Sequence, residues 1–196
     1  MKKVFSQQRF ICSVVLVATV LFATLLIQAA AARDAQSTDE GFKATTVILV
    51  RHAEKADAPR EDPPLTEAGV ARSQKLASLL ASAGVKAIYT SQFLRTKQTA
   101  EPLAKQLGIT VAPITIQTKQ SNPREVSEQS IRQIVDKIME HPGDTVLIIG
   151  HSNSVPDVIK MLGGDTVPTI DEKKFDDLFI VTVYAKGKAK VVQMKY

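Results

Sequence analysis

Thr45-Thr46-Val47-Ile48-Leu49-Val50-Arg51-His52 is the stretch from which the fold is read. All of its first six residues except Leu49 are β-branched, and no alternation of polar and apolar residues runs through them. Such a run predicts a short strand buried on both faces, as in a parallel sheet covered by helices. The chain then turns polar from Arg51 to Pro64, with Pro59, Pro63 and Pro64, which predicts a loop. Thr66 offers an N-cap for a helix that continues through Val70, Leu76, Ala77, Leu79 and Leu80 and stops at Gly84. A second strand is expected at Ala87–Thr90. A helix from Phe93 to Leu107 follows, closed by Gly108, with Pro102 expected to bend or divide it. Ile109–Ile116 reads as an edge strand because of Pro113. Ser127 caps a helix with the apolar stripe Ile131, Ile134, Val135 and Ile138, stopped at His141-Pro142-Gly143. Thr145–Ile149 repeats the buried pattern of Val47–Val50. A short helix over Val155–Leu162 and a hairpin of Leu178–Tyr184 with Lys190–Gln193 complete the order. Strands alternating with helices and closing on a hairpin imply an α/β three-layer sandwich. Its central sheet would be mainly parallel, with helices on both faces and an antiparallel edge.

Ligands of such sheets sit beyond the carboxyl ends of the strands. The first strand runs into Arg51-His52, the strand at 145–149 into Gly150-His151-Ser152-Asn153, and the strand at 87–90 into Ser91, with Arg95 one helical turn on. The parallel part of the sheet gathers these groups on one edge. Two arginines, two histidines and hydroxyls in one place suit a doubly charged anion, since arginine binds phosphate oxygens bidentately. Taken singly, each has a plainer reading. Ser91 and Thr99 serve as helix caps and packing groups, His141 as a helix end, and Lys55 and Arg60 as solvated loop residues. Asn153 equally suits a cap for the helix that follows it.

The sequence resembles the histidine phosphatase superfamily, which includes phosphoglycerate mutases and acid phosphatases. Four stretches carry the resemblance in order: Arg51-His52-Ala53-Glu54, Leu65-Thr66-Glu67-Ala68-Gly69, Ser91-Gln92-Phe93-Leu94-Arg95-Thr96-Lys97-Gln98-Thr99-Ala100, and Gly150-His151-Ser152-Asn153-Ser154. The resemblance implies that His52 is a nucleophile forming a phosphohistidine. Arg51, Arg95 and His151 would hold the phosphoryl oxygens, with His52 neutral and His151 protonated. Ser152, through its backbone N–H, and Asn153 would add donors. Family members place the general acid after the arginine helix, which makes Glu125 the first choice here; Glu54, two residues after His52, is the second and could also touch substrate. A branch acting on phosphohistidine lacks an obvious acid, because a phosphoramidate has a good leaving group. Mutase relatives carry longer insertions after the first motif, and Lys55–Pro64 is short and proline-rich. The expected activity is phosphomonoester hydrolysis on a phosphorylated small molecule or phosphohistidine, without cofactor or metal. The alternative is a non-catalytic phosphate-binding relative. A metal-dependent hydrolase built on His52 and His151 has little support, since no HExxH-like pair occurs.

The remainder concerns the address of the chain. Lys2, Lys3 and Arg9 precede an apolar run from Phe10 to Ile27, and Ala29–Ala32 supply a small-residue cleavage site. Residues 1–32 therefore read as a signal peptide, 33–43 as a flexible leader and 44–196 as the phosphatase domain. The expected location is outside the cytoplasm, periplasmic or secreted, with an uncleaved membrane anchor through residues 10–32 as the alternative. The 196 residues carry a net charge of +5, with 44% hydrophobic, 5% aromatic and 23% charged residues, which excludes a wholly disordered chain. Removing residues 1–32 takes away three of the positive charges and leaves a net of +2. The basic pI of about 9.3 is thus largely an export signal and is no argument for a nucleic-acid partner. The single cysteine, Cys12, leaves with the same segment and excludes a disulfide framework.

Overall fold

A computed structural model describes residues 43–196; the expected signal peptide and nearly all of the leader lie outside the described residues. Strand β1 is Thr45–Arg51, and its neighbours decide where the site forms. It pairs in parallel with β6, Thr145–Gly150, in the register Val47↔Val146 through Arg51↔Gly150. On its other side it pairs antiparallel with β7, Asp177–Ala185, which pairs antiparallel with β8, Lys188–Lys195. Strand β2, Val85–Ser91, lies parallel to β6, and β3, Val111–Ile114, lies parallel to β2 at the sheet margin. The sheet order is β3-β2-β6-β1-β7-β8, four parallel strands and an antiparallel edge. Pro113 sits in β3, whose single pairing partner leaves one strand side free of the ladder.

Successive side chains of a strand point to opposite faces, and both faces here are apolar. Val47, Leu49, Val146 and Ile148 pack under helices α3, Glu128–Met139, and α4, Val155–Met161. Ile48, Val50, Leu147 and Ile149 pack under α1, Glu67–Leu80, and α2, Leu94–Leu107. Val47, Leu49, Val50, Val146 and Leu147 have no exposed surface. Each such side chain contributes about 1.5–3 kcal/mol by leaving water, which is what holds β1 and β6 at the centre.

One sequence expectation needs correction, and one element went unread. Pro102 does not divide its helix: α2 runs unbroken from Leu94 to Leu107. A proline there removes one backbone hydrogen bond, and the buried face of Thr99, Ala100, Leu103 and Ala104 holds the helix on the sheet regardless. The polar stretch after residue 117 forms a small hairpin, β4, Thr118–Lys119, with β5, Asn122–Val126. Its residues are mostly exposed, so no hydrophobic alternation announced it. Among the described residues no helix is long and apolar enough to cross a membrane.

Candidate active site

The in-register pairing of β1 with β6 brings the two histidines together. Arg51 stands opposite Gly150, the His52 N–H donates to the Gly150 carbonyl at 3.0 Å, and the rings of His52 and His151 lie 5.4 Å apart. Ser91, ending β2 on the other side of β6, meets the His151 Nε2 at 2.9 Å. Arg95 enters from the first turn of α2, and its charge acts on both histidines. Arg51, His52, Arg95 and His151 thus converge at the carboxyl edge of the sheet.

The hydrogen bonds assign the protons. His52 Nδ1 lies 2.7 Å from the carbonyl of Ala53. A carbonyl only accepts, so Nδ1 carries the hydrogen and Nε2 holds the lone pair. Burial first, and then the charges of Arg51, Arg95 and Lys55, push the His52 pKa from 6.5 down to about 4, against the bond to Ala53. The ring is therefore neutral at physiological pH, as a nitrogen nucleophile must be. The Thr96 hydroxyl donates to the Phe93 carbonyl at 2.8 Å, so Ser91 donates to Thr96 at 2.9 Å and accepts from His151 Nε2. Burial, followed by the charges of His52, Arg95 and Arg51, also holds His151 well below the ordinary range. Without an anion His151 is neutral; a phosphoryl dianion between these groups supplies the opposite charge that favours its second proton.

Both arginines offer the same edge. Arg51 Nη1 donates to the carbonyls of Asp171, Glu172 and Lys174 at 3.1, 2.6 and 3.2 Å. Arg95 Nη1 stands 3.8 Å from Asp62, whose carboxylate also accepts from the Leu94 N–H at 2.8 Å. In each arginine Nε is buried without a partner among the described residues. A buried unpaired donor is costly, and two of them on guanidinium groups beside a neutral imidazole suit an oxyanion as the missing acceptor.

The other motif residues build the support. Ala53 N–H donates to Thr99 Oγ1 at 3.0 Å, and Leu65 N–H to Gln98 Oε1 at 2.8 Å, which ties the chain after His52 to α2. Thr66 caps α1 by accepting from the Gly69 N–H, and its own N–H donates to the Glu54 carbonyl. At Gly69 any Cβ would lie 2.2 Å from that carbonyl, so the helix can approach only through glycine.

The remaining candidates are placed differently. Glu54 accepts three hydrogen bonds from Arg72, at 2.7–2.9 Å, and is committed to that ion pair. Glu125 lies on the exposed hairpin strand β5 and accepts from Lys119 and Asn122. Asn153 neither caps α4 nor touches a histidine; its Nδ2 donates to the Arg124 carbonyl at 2.7 Å and ties the hairpin to the turn after β6. Ser152 is half-buried in that turn. The sequence places the loops Ala53–Pro64 and Gly163–Lys174 at the pocket mouth but assigns no role to Asp62, Phe93 or Asp171–Phe175, which touch the two arginines. Ser91, taken for a cap, is the partner of His151. Among the described residues no group of three or more His, Cys, Asp or Glu side chains is arranged to hold a metal.

Residues 47–119 match the family model of the histidine phosphatase superfamily, branch 1. The fold is similar to that of the protein histidine phosphatase SixA complexed with tungstate, at 22% identity and a TM-score of 0.60, covering 76% of this chain and 96% of that one. It is similar to YhfR of Bacillus stearothermophilus, at 22% identity and a TM-score of 0.60, covering 76% and 95%. Phosphoglycerate mutase from Bacillus anthracis shares it at 17% identity and a TM-score of 0.61, covering 78% and 93%. At these identities the solved structures establish the shared fold.

Proposed function

We propose that this chain, whose residues 47–119 match the histidine phosphatase superfamily, is a phosphatase working through a phosphohistidine on His52. The observation that carries the proposal is the bond from His52 Nδ1 to the Ala53 carbonyl, which leaves Nε2 with its lone pair beside two arginines whose Nε donors are unpaired. Nε2 attacks phosphorus, the N–P bond forms, and the bond to the leaving group breaks with its electron pair. Arg51, Arg95 and His151 hold the non-bridging oxygens as charge builds on them. Water then attacks phosphorus, the N–P bond breaks with its electron pair returning to Nε2, and the water proton passes to the departed leaving group or to solvent, which releases phosphate and leaves His52 neutral.

The commitments of Glu54 to Arg72 and of Glu125 to the exposed hairpin favour substrates whose leaving group needs little protonation. Phosphohistidine fits that requirement, since its imidazole departs readily, and small phosphomonoesters with good leaving groups fit it too. The signal-like residues 1–32 support action outside the cytoplasm, in the periplasm or secreted.

The test is phosphate release from an aryl phosphate and from phosphohistidine by wild type and His52→Ala, with acid-labile phosphate trapped on the protein. Wild type should turn over and carry label, and His52→Ala should do neither. Equal, negligible rates in both would favour the alternative of a phosphate-binding relative without catalysis.

A further inference from the structure

Residues 43–196 contain three phenylalanines: Phe93, Phe175 and Phe179. Phe179 is fully buried in the core. The other two both stand in the site, in matching positions. The Phe175 ring lies under the Arg51 guanidinium, 4.2 Å from Cζ to centroid, and 6.0 Å from the His52 ring. The Phe93 ring lies under Arg95 at 4.3 Å and meets His151 edge-on at 5.6 Å. Together with the 5.4 Å contact between the histidines, this makes a row of four rings with an arginine stacked on each end.

We propose that Phe175, carried by the segment Asp171–Lys174, is a positioning residue that fixes the Arg51 guanidinium for oxyanion binding, as Phe93 does for Arg95. The inference rests on the reading of Arg51 as a phosphate clamp. A guanidinium is a flat fork on a flexible stem, so its direction must be imposed. At Arg51 three backbone carbonyls take Nη1, the aromatic face takes one side of the plane, and the Nε–Nη2 edge is left for the anion. The ring also shields that side from water, which strengthens the hydrogen bonds made in the plane. Backbone acceptors cannot be read as a motif, and this explains why the segment carries no signature.

The test measures tungstate binding by calorimetry and hydrolysis of an aryl phosphate for wild type, Phe175→Leu, Phe175→Met, Phe175→Tyr and Phe179→Leu, each with its melting temperature. Loss of the aromatic face should weaken tungstate about five- to tenfold in the Leu and Met variants, the range expected for a partly buried cation–π contact. Phe175→Tyr should stay near wild type. Phe179→Leu should lower the melting temperature and leave tungstate affinity unchanged. Wild-type affinity in Phe175→Leu or Phe175→Met overturns the proposal, as does an equal loss in Phe175→Tyr. Independently of any variant, the Nη1 and Nη2 hydrogens of wild-type Arg51 should give separate NMR resonances; one averaged signal overturns it as well. A wild type that neither binds tungstate nor turns over refutes the phosphatase reading itself, a result distinguishable from failure of the positioning role.

Discussion

Acidification should destabilise this protein through His52. His52 is 3% exposed, and its pKa falls from 6.5 to about 4 on folding, chiefly through burial. The sign follows from proton counting: between these two values the unfolded chain binds a proton that the folded chain refuses, so stability falls as the pH falls. Above pH 6.5 both states are neutral at this ring and it contributes no pH dependence. Below pH 4 the loss is complete, and the gap corresponds to about 3 kcal/mol at about 1.4 kcal/mol per pH unit. At pH 4.5 most of it, about 2.5 kcal/mol, is already expressed. His52→Asn keeps a polar side chain of similar bulk and removes the proton site. Urea unfolding of both proteins at pH 7.5, 5.5 and 4.5 gives the comparison. Wild type should lose about 2.5 kcal/mol more than His52→Asn between the outer two values. His151 is held down partly by the charge of His52, so the measured difference belongs to the coupled pair. Equal losses in the two proteins would refute the argument, because they would mean that His52 titrates alike in both states.

Three further variants give expected outcomes of their own. Gly69→Ala should destabilise the protein by about 2–3 kcal/mol in the same urea assay, since its Cβ would lie 2.2 Å from the Glu54 carbonyl and α1 must shift away. Glu54→Gln should cost about 1 kcal/mol through the half-exposed Arg72 pair while kcat on an aryl phosphate stays within about threefold of wild type, and Glu125→Gln should leave kcat unchanged; a hundredfold fall in kcat for either one would restore it as the general acid.

How much of this was legible depends on which physical signal each part emits. The runs at 47–50 and 146–149 are apolar because both faces of a central strand must be covered, so the centre of the sheet stands in the residue types themselves. Arg51, His52 and His151 were legible because strand ends fix where a residue emerges, and Arg95 because it opens the helix that follows β2. The hairpin at 118–126 was silent, because exposed strands of two and five residues need no hydrophobic alternation. Phe93 and Phe175 were silent for the opposite reason: an apolar ring in a loop or a first helical turn resembles ordinary packing until the arginine above it is seen.

The choice of general acid shows the same limit more sharply. Glu54 is two residues from His52, and sequence distance alone puts a carboxylate beside that ring. What sequence distance omits is competition. Arg72 lies on α1, and Gly69 allows that helix to press against the Glu54 backbone, so the carboxylate meets a guanidinium with ideal bidentate geometry before it can meet a substrate. The pair then holds the Glu54 carboxyl below its usual range, against burial, which unsuits it to donate a proton at neutral pH. Asp62 is restrained in a similar way, by the Leu94 N–H and the neighbouring Arg95. In this site carboxylates serve to hold backbone and arginines in place. In the proposed reaction the chemistry falls to a neutral imidazole and the cations around it, and such a division of labour would select a leaving group that can depart unaided.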